Sequence, residues 1–128
     1  NLVVPNLDDA VMLLVRAIID KDKKTAMKIY SALSNNTQDV MGIISLLSNA
    51  FVNLLKVAKI AKEGYKQAEI ASILGISNGH AYHLLNDVKK YKLETLEENV
   101  LKLSKLDYQI KTGQINKELG FEFLLLSI

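Results

Sequence analysis

Three side chains that can bind a metal ion lie close together in the sequence, at His80, His83 and Asp87. Their spacing of three and then four residues places all three on one face of a helix. The chain has no cysteine, and the sequence indicates no second pair of ligands. Because a His-x-x-His pair without distant partners is more typical of a solvated helix face, we predict no metal site. A metal-binding module remains one hypothesis to test.

Catalytic motifs are not evident in this sequence. It contains no phosphate-binding loop, no glycine-rich dinucleotide fingerprint, no nucleophile elbow and no cluster of carboxylates at a recognisable spacing. Its serine and aspartate residues have the distribution of helix caps and solvent-facing groups. We therefore predict no catalytic residue, no cofactor and no enzyme activity for this chain.

Residues 66–91 have the pattern of a helix-turn-helix unit. Ile70 and Leu74 are predicted to be core residues, and Ala71 allows close contact between the two helices. Gly75 supplies a left-handed turn, and Ser77 caps the second helix. Such a unit serves either as a DNA-binding element or as a compact packing motif.

A DNA-binding role predicts that the second helix of this unit faces the major groove. The side chains presented there would be His80, His83, Asn86, Lys89 and Lys90. The lysines lie at the far end of the helix, whereas base-reading side chains usually lie near its start. The net charge is +2, and Arg16 is the one arginine among sixteen basic residues. These features favour the packing role and leave a helix-turn-helix DNA-binding domain as the alternative.

The composition predicts a single all-α domain. Of the 128 residues, 49% are hydrophobic, and one proline and six glycines leave few helix breakers. The absence of cysteine suits a reducing cytosol. We expect no membrane segment, because no apolar run is expected to reach the roughly 20 residues of a membrane-spanning helix.

Helical periodicity predicts a compact bundle of about six to seven helices. Asn6 caps the first, whose apolar stripe is Leu7, Val11, Leu14 and Ile18. The second spans 23–33, with Asp22 as its cap and Ala26, Ile29, Tyr30 and Leu33 facing inward. The third spans 37–62 and ends before Gly64, two short helices fill 66–91, the sixth spans 94–112, and Asn116 caps the last.

The junction between the last two helices holds the most distinctive residues. The predicted stripe of the sixth helix is Leu96, Val100, Leu103, Asp107 and Ile110, which puts a carboxylate on an apolar face. Burying that carboxylate unpaired would cost several kcal/mol, so Asp107 needs a partner. The candidates are Lys111 one turn later, a side chain from another helix, or a second subunit. Gly113 then ends the helix, and Asn116 starts the next.

Two helices are apolar around more than one face, the third at 37–62 and the last at 116–128. Such a helix either crosses the core or contacts another subunit. A central core position is the simpler interpretation for the third helix. The candidate interface residues on the two helices are Phe51, Leu55, Phe121, Phe123, Leu124 and Leu125.

Four segments together resemble the C-terminal domain of the delta subunit of the bacterial DNA polymerase III clamp loader. They are residues 17–26, 64–76, 93–96 and 107–119, and they occur in the same order as in that family. The last is the most specific, and its structural signature is Asp107, Lys111, Gly113 and Asn116.

The resemblance implies a helical collar domain spanning 1–128, cut from a longer polypeptide whose ATPase-like domains precede it. It implies oligomerisation with delta prime and tau or gamma subunits, in support of loading the sliding clamp onto DNA during replication. Clamp contact would belong to other domains of the parent. DNA contact would belong to the complex and be weak or absent in this chain, and the location would be cytoplasmic.

Overall fold

The described part of the chain is helical. The computed structural model describes residues 7–34 and 39–128, and in these ranges it contains seven α-helices and no strand. The helices are α1 (Leu7–Ile19), α2 (Lys23–Ser34), α3 (Val40–Lys62), α4 (Gln67–Leu74), α5 (Asn78–Val88), α6 (Leu93–Lys111) and α7 (Lys117–Ser127). The predicted all-α class is confirmed.

The helices group into two compact units. The first unit contains the described part of Asn1–Leu47 together with Lys102–Ile128, which includes α1, α2 and α7. The second unit, Ser48–Leu101, includes α4 and α5. The chain passes from one unit to the other within α3 and again within α6.

Helix α1 buries much of its predicted stripe. Leu14 and Ile18 are buried, and Val11 is half-buried. The predicted cap Asn6 and the side chain of Leu7 lie outside the described residues. The packed face of α1 lies against α2 in the first unit.

Helix α2 begins at the predicted cap. The Asp22 carboxylate accepts a hydrogen bond from the Thr25 backbone amide at 3.1 Å. Hydrogen bonds from the Thr25 side chain and backbone hold the pKa of Asp22 below its ordinary value, because they stabilise the ionised form. The inward face is as predicted for Ala26, Tyr30 and Leu33, which are buried, while Ile29 is half-buried.

Helix α3 is the longest element, with 23 residues. Its predicted start at Thr37 lies outside the described residues, and Gly64, with φ +99°, follows its end as predicted. Helix α3 is long and apolar enough, by length and composition alone, to cross a membrane. The expectation that no apolar segment reaches the length of a membrane-spanning helix is therefore wrong. Core helices of soluble proteins pass the same test. The core interpretation agrees with its buried side chains, Val40, Ile43, Ile44, Leu47, Phe51, Leu54, Val57 and Ala58.

The buried face of α6 differs from the predicted stripe. The buried residues are Leu96, Asn99, Leu103 and Leu106, whereas Val100, Asp107 and Ile110 are half-buried. The two patterns share Leu96 and Leu103, while Asn99 and Leu106 are buried one residue before the predicted Val100 and Asp107, and Ile110 has no buried neighbour in α6 to replace it. The prediction chose Val100 because it is apolar. The structure instead buries the amide of Asn99, which is 2% exposed.

Candidate interaction surface

Gly113 lies in the turn that ends α6, as the sequence predicted. Its φ of +75° is a left-handed conformation, which is strained for a residue that has a Cβ atom. The Gly113 amide donates to the Ile110 carbonyl at 3.1 Å, and the Gln114 amide donates to the Gln109 carbonyl at 2.8 Å. These bonds satisfy two of the last carbonyls of α6 and redirect the chain towards α7.

Asn116 caps α7, as predicted. Its backbone is extended, with φ −65° and ψ 136°, and its side-chain oxygen accepts from the Leu119 amide at 3.0 Å. Glu118 lies in the first turn, where the positive end of the helix dipole favours a carboxylate. The start of α7 is therefore determined locally.

Of the three candidate partners for Asp107, the structure shows an ion pair with Lys111. The Asp107 Oδ2 and Lys111 Nζ atoms are 3.0 Å apart, and the two side chains are 35% and 65% exposed. A pair so accessible to water contributes only about 0.3–0.5 kcal/mol. Asp107 is thus half-exposed rather than on a buried apolar face, because the buried line of α6 passes through Leu106 instead.

Helix α7 has two opposite apolar faces. Gly120, Phe121, Leu124 and Leu125 form the buried face. On the other side, Leu119, Phe123 and Leu126 are 47%, 55% and 62% exposed. Their spacing of four and then three residues aligns them along one line of a helix. We call these three residues the α7 stripe.

The buried face of α7 packs closely within the first unit. The ring centroids of Phe121 and Tyr30 are 4.8 Å apart with a tilt of 51°. At Gly120 a Cβ atom would lie 2.7 Å from Leu106 Cδ1, so the absence of a side chain permits this close approach of α7 to α6. Contacts of this kind fix α7 to the body of the unit.

Two lysines hold the end of α7. Lys23 Nζ donates to the Leu126 carbonyl at 2.9 Å, and Lys102 Nζ donates to the Ser127 carbonyl at 2.8 Å. Cations at this end also complement the negative end of the helix dipole. Helix α7 is thus tethered at its start, along its buried face and at its end, which makes the α7 stripe a preorganised surface.

Acidic residues on α7 affect the electrostatics around Tyr30. Burial raises the pKa of Tyr30, and the negative charges of Glu122 and then Glu118 raise it further. The phenol is buried, with 4% of the residue exposed. The phenol therefore stays neutral to a higher pH than an ordinary tyrosine does, because its pKa is raised.

The six candidate interface residues have different environments. Phe51, Phe121, Leu124 and Leu125 are buried within the chain, Leu55 is half-buried, and Phe123 is exposed. Buried side chains offer a partner little surface, so the interface hypothesis now depends chiefly on Phe123. Sequence reasoning did not select Leu119 and Leu126 as interface residues, although their spacing from Phe123 was a readable signal.

The α4–α5 unit has the predicted helix-turn-helix geometry. Gly75 is left-handed, with φ +67°, and the Ser77 side chain accepts from the His80 amide at 3.0 Å. Ile70 is buried as predicted, and Ala71 is buried too. Leu74, also predicted to be a core residue, is half-buried. The Gln67 side-chain amide donates to the Asn78 backbone carbonyl at 3.3 Å, a polar link between the two helices.

The outer face of α5 is polar and only weakly basic. His80, His83 and Lys89 are exposed, and Asn86 is half-buried. Lys90 Nζ lies 3.2 Å from Asp87 Oδ1, so the positive charge of this lysine is partly neutralised. The lysines remain at the end of the helix that a DNA-binding unit uses least for reading bases.

The three proposed metal ligands do not form a cluster. Asp87 is 7% exposed and is paired with Lys90, while His80 and His83 face solvent. Within residues 7–34 and 39–128, no group of three or more His, Cys, Asp or Glu side chains is placed to hold a metal ion. No residue set in those ranges therefore supports the metal-binding hypothesis.

Comparison with known proteins gives consistent matches. The family model for the C-terminal domain of the DNA polymerase III delta subunit matches residues 8–128. The DNA polymerase III subunit delta of Bacillus subtilis is 27% identical over 127 residues, which cover 99% of this chain and 37% of that protein.

A solved structure agrees with these matches. The Bacillus subtilis DNA clamp loader delta protein matches with a TM-score of 0.81 and 27% identity, covering 98% of this chain and 37% of that one. The chain thus spans a little over a third of the length of the relatives it matches. Since the family model accounts for nearly every residue, the chain belongs to the family formed by the C-terminal domains of DNA polymerase III delta subunits.

Proposed function

We propose that residues 1–128 are a collar-type assembly domain that joins a delta subunit to its companion clamp-loader subunits. The companions would be delta prime and the tau or gamma subunits, and the assembled loader would place the sliding clamp on DNA during replication. The domain would have no catalytic site and would act in the cytoplasm. Family membership supports this proposal, and the remaining activities of a clamp loader would belong to regions outside this match.

The observation that carries the proposal is the α7 stripe. Three large apolar side chains are exposed along one line of a helix that is tethered at both ends. Single exposed apolar residues are ordinary, but a contiguous apolar line on a rigid helix is typical of a protein contact. A preorganised surface also loses less conformational entropy when a partner binds.

The test uses Phe123→Ser combined with Leu126→Ser in the full chain. The chain is mixed at micromolar concentration with the C-terminal domains of the companion subunits, and association is measured by sedimentation velocity. We expect the original chain to associate and the double variant to lose at least about tenfold in affinity, because it removes two anchors from the stripe. Failure of the original chain to associate would contradict the assembly role.

A matched control separates the stripe from general surface hydrophobicity. Ile73 on α4 is 54% exposed, close to the values for Phe123 and Leu126. Ile73→Ser should leave association unchanged, and an equal loss there would exclude a specific role for α7. Point substitutions are preferable to deleting α7, since deletion would also remove Phe121 and Leu124 from the core.

A further inference from the structure

One edge of the α7 stripe is acidic. Glu118 and Glu122 are exposed and lie four residues apart, so they align along α7. At about 100° per residue, Glu122 lies beside the line of Leu119, Phe123 and Leu126, and Glu118 lies just beyond it on the same side. Neither carboxylate is within 4.0 Å of a basic side chain in the part of the chain that the structure describes.

The opposite edge of the stripe is uncharged. Asn116 and Ser127 lie on that side when the same helical rotation is applied. Among the basic residues near α7, Lys23 and Lys102 donate to the carbonyls at its end, and the same rotation puts Lys117 on the side of the buried face. The stripe is therefore apolar along its centre and negative along one edge only.

We propose that the α7 stripe receives an amphipathic helix of a companion subunit that carries lysine or arginine along one edge. This inference rests on the proposed assembly function and specifies the chemistry of the partner. From Leu119 to Leu126 the stripe is about 10 Å long, since a helix rises about 1.5 Å per residue, and this matches two turns of a partner helix. A basic edge pairs with Glu118 and Glu122 and fixes the orientation of the bound helix.

The acidic edge also disfavours pairing with a second copy of α7. An antiparallel two-fold pairing of two stripes would place both acidic edges on the same side of the interface. Four carboxylates would then face one another with no cation among them. Like charges placed together select against such a complex, so the acidic edge favours a different partner over self-association.

The test reverses the charge of this edge in the full chain with Glu118→Lys and Glu122→Lys. Its matched control is Glu97→Lys with Glu98→Lys, two exposed residues of α6 in the second unit. Each double change replaces two acids by two bases, so it shifts the net charge by +4, from +2 to +6. Association with the companion C-terminal domains is measured at roughly 50 mM and 500 mM salt, which screen exposed charges to different extents.

We expect the α7 reversal to weaken association about tenfold at the lower salt concentration and less at the higher one. The α6 control should match the original chain in both conditions, and all variants should keep their helical content and melting temperature. An unchanged affinity after the α7 reversal, with Phe123→Ser still weakening association, overturns the basic-edge proposal and leaves the assembly function intact. If neither change weakens association, both proposals are overturned.

Two further outcomes concern the identity of the partner that binds the α7 stripe. Stronger association after the α7 reversal would mean that the partner edge is acidic, and this overturns the proposal. Sedimentation of the chain alone gives the second outcome. We expect a monomer at micromolar concentration. A dimer that Phe123→Ser dissociates would show that a second copy of the chain binds the α7 stripe, and this would overturn the proposal.

Discussion

Helix α7 and the α4–α5 unit use the same local signals but present different surfaces. Each has a left-handed glycine before a capped helix, Gly113 and Asn116 for α7 and Gly75 and Ser77 for α5. The two cap distances are both 3.0 Å. Yet α7 exposes an apolar line, whereas the exposed side chains of α5 include His80, Tyr82 and His83.

The difference shows that turn and cap residues do not distinguish a packing unit from an interaction surface. They determine where a helix begins and ends. The partner is indicated by the residues on the outward face. A helix-turn-helix pattern is thus a statement about local structure, and in this chain the family match does not favour a DNA-binding role.

The largest expected effect separates the two faces of α7. Phe121→Ala should lower the free energy of unfolding by about 3–5 kcal/mol, because it leaves a cavity beside Tyr30 in the core. Phe123→Ala, on the exposed face of the same helix, should change it by no more than about 0.5 kcal/mol. Urea unfolding followed by circular dichroism measures both.

The pair of variants is informative because the two substitutions are chemically identical and two residues apart. A large loss of stability in Phe123→Ala would show that the α7 stripe is part of a core, and the contrast between α7 and α5 would then disappear. Under conditions where Phe121→Ala stays folded, Phe123→Ala should weaken association with the companion subunits more than Phe121→Ala does.

Much of the fold could be predicted from the sequence because helix ends depend on nearby residues. Asp22, Ser77 and Asn116 were assigned as caps from residue type and position, and each accepts a backbone hydrogen bond. Gly75 and Gly113 were likewise assigned as turns and are left-handed. These features require no knowledge of distant parts of the chain.

The exposed face could not be predicted with the same success, because burial depends on which elements pack together. Phe121 and Phe123 are equivalent by residue type, and both were proposed as interface residues, but the first is fully buried and the second is 55% exposed. Asn99 was missed for the same reason, since a polar residue on a helix gives no signal of burial. The helical periodicity of α7 fixed two faces without indicating which one was outward.

An intermediate effect is expected in the α4–α5 unit. Gly75→Ala forces a side chain into a left-handed conformation and should cost about 1 kcal/mol of stability. Gly79→Ala is the matched control, because it lies in α5 at a site where a Cβ atom meets nothing within 4 Å. That change should be neutral or stabilise by up to about 1 kcal/mol.

The same two variants sharpen the contrast with α7. Because the α4–α5 turn belongs to the second unit, neither substitution should alter association with companion subunits. Thermal unfolding gives the stability change, and sedimentation gives the association. If Gly75→Ala loses association at a temperature where the chain stays folded, the α4–α5 unit takes part in assembly and is not only a packing motif.

The smallest expected effect concerns the ion pair at the end of α6. Asp107→Ala and Lys111→Ala should show a coupling energy of about 0.3–0.5 kcal/mol in a double-mutant cycle, because both side chains remain accessible to water. The coupling should decrease with added salt. A coupling above about 1 kcal/mol would require a less solvated environment than the 35% exposure of Asp107 indicates. It would mean that the signature residues before α7 stabilise the junction through more than a surface pair, and that α7 is positioned by charge as well as by packing.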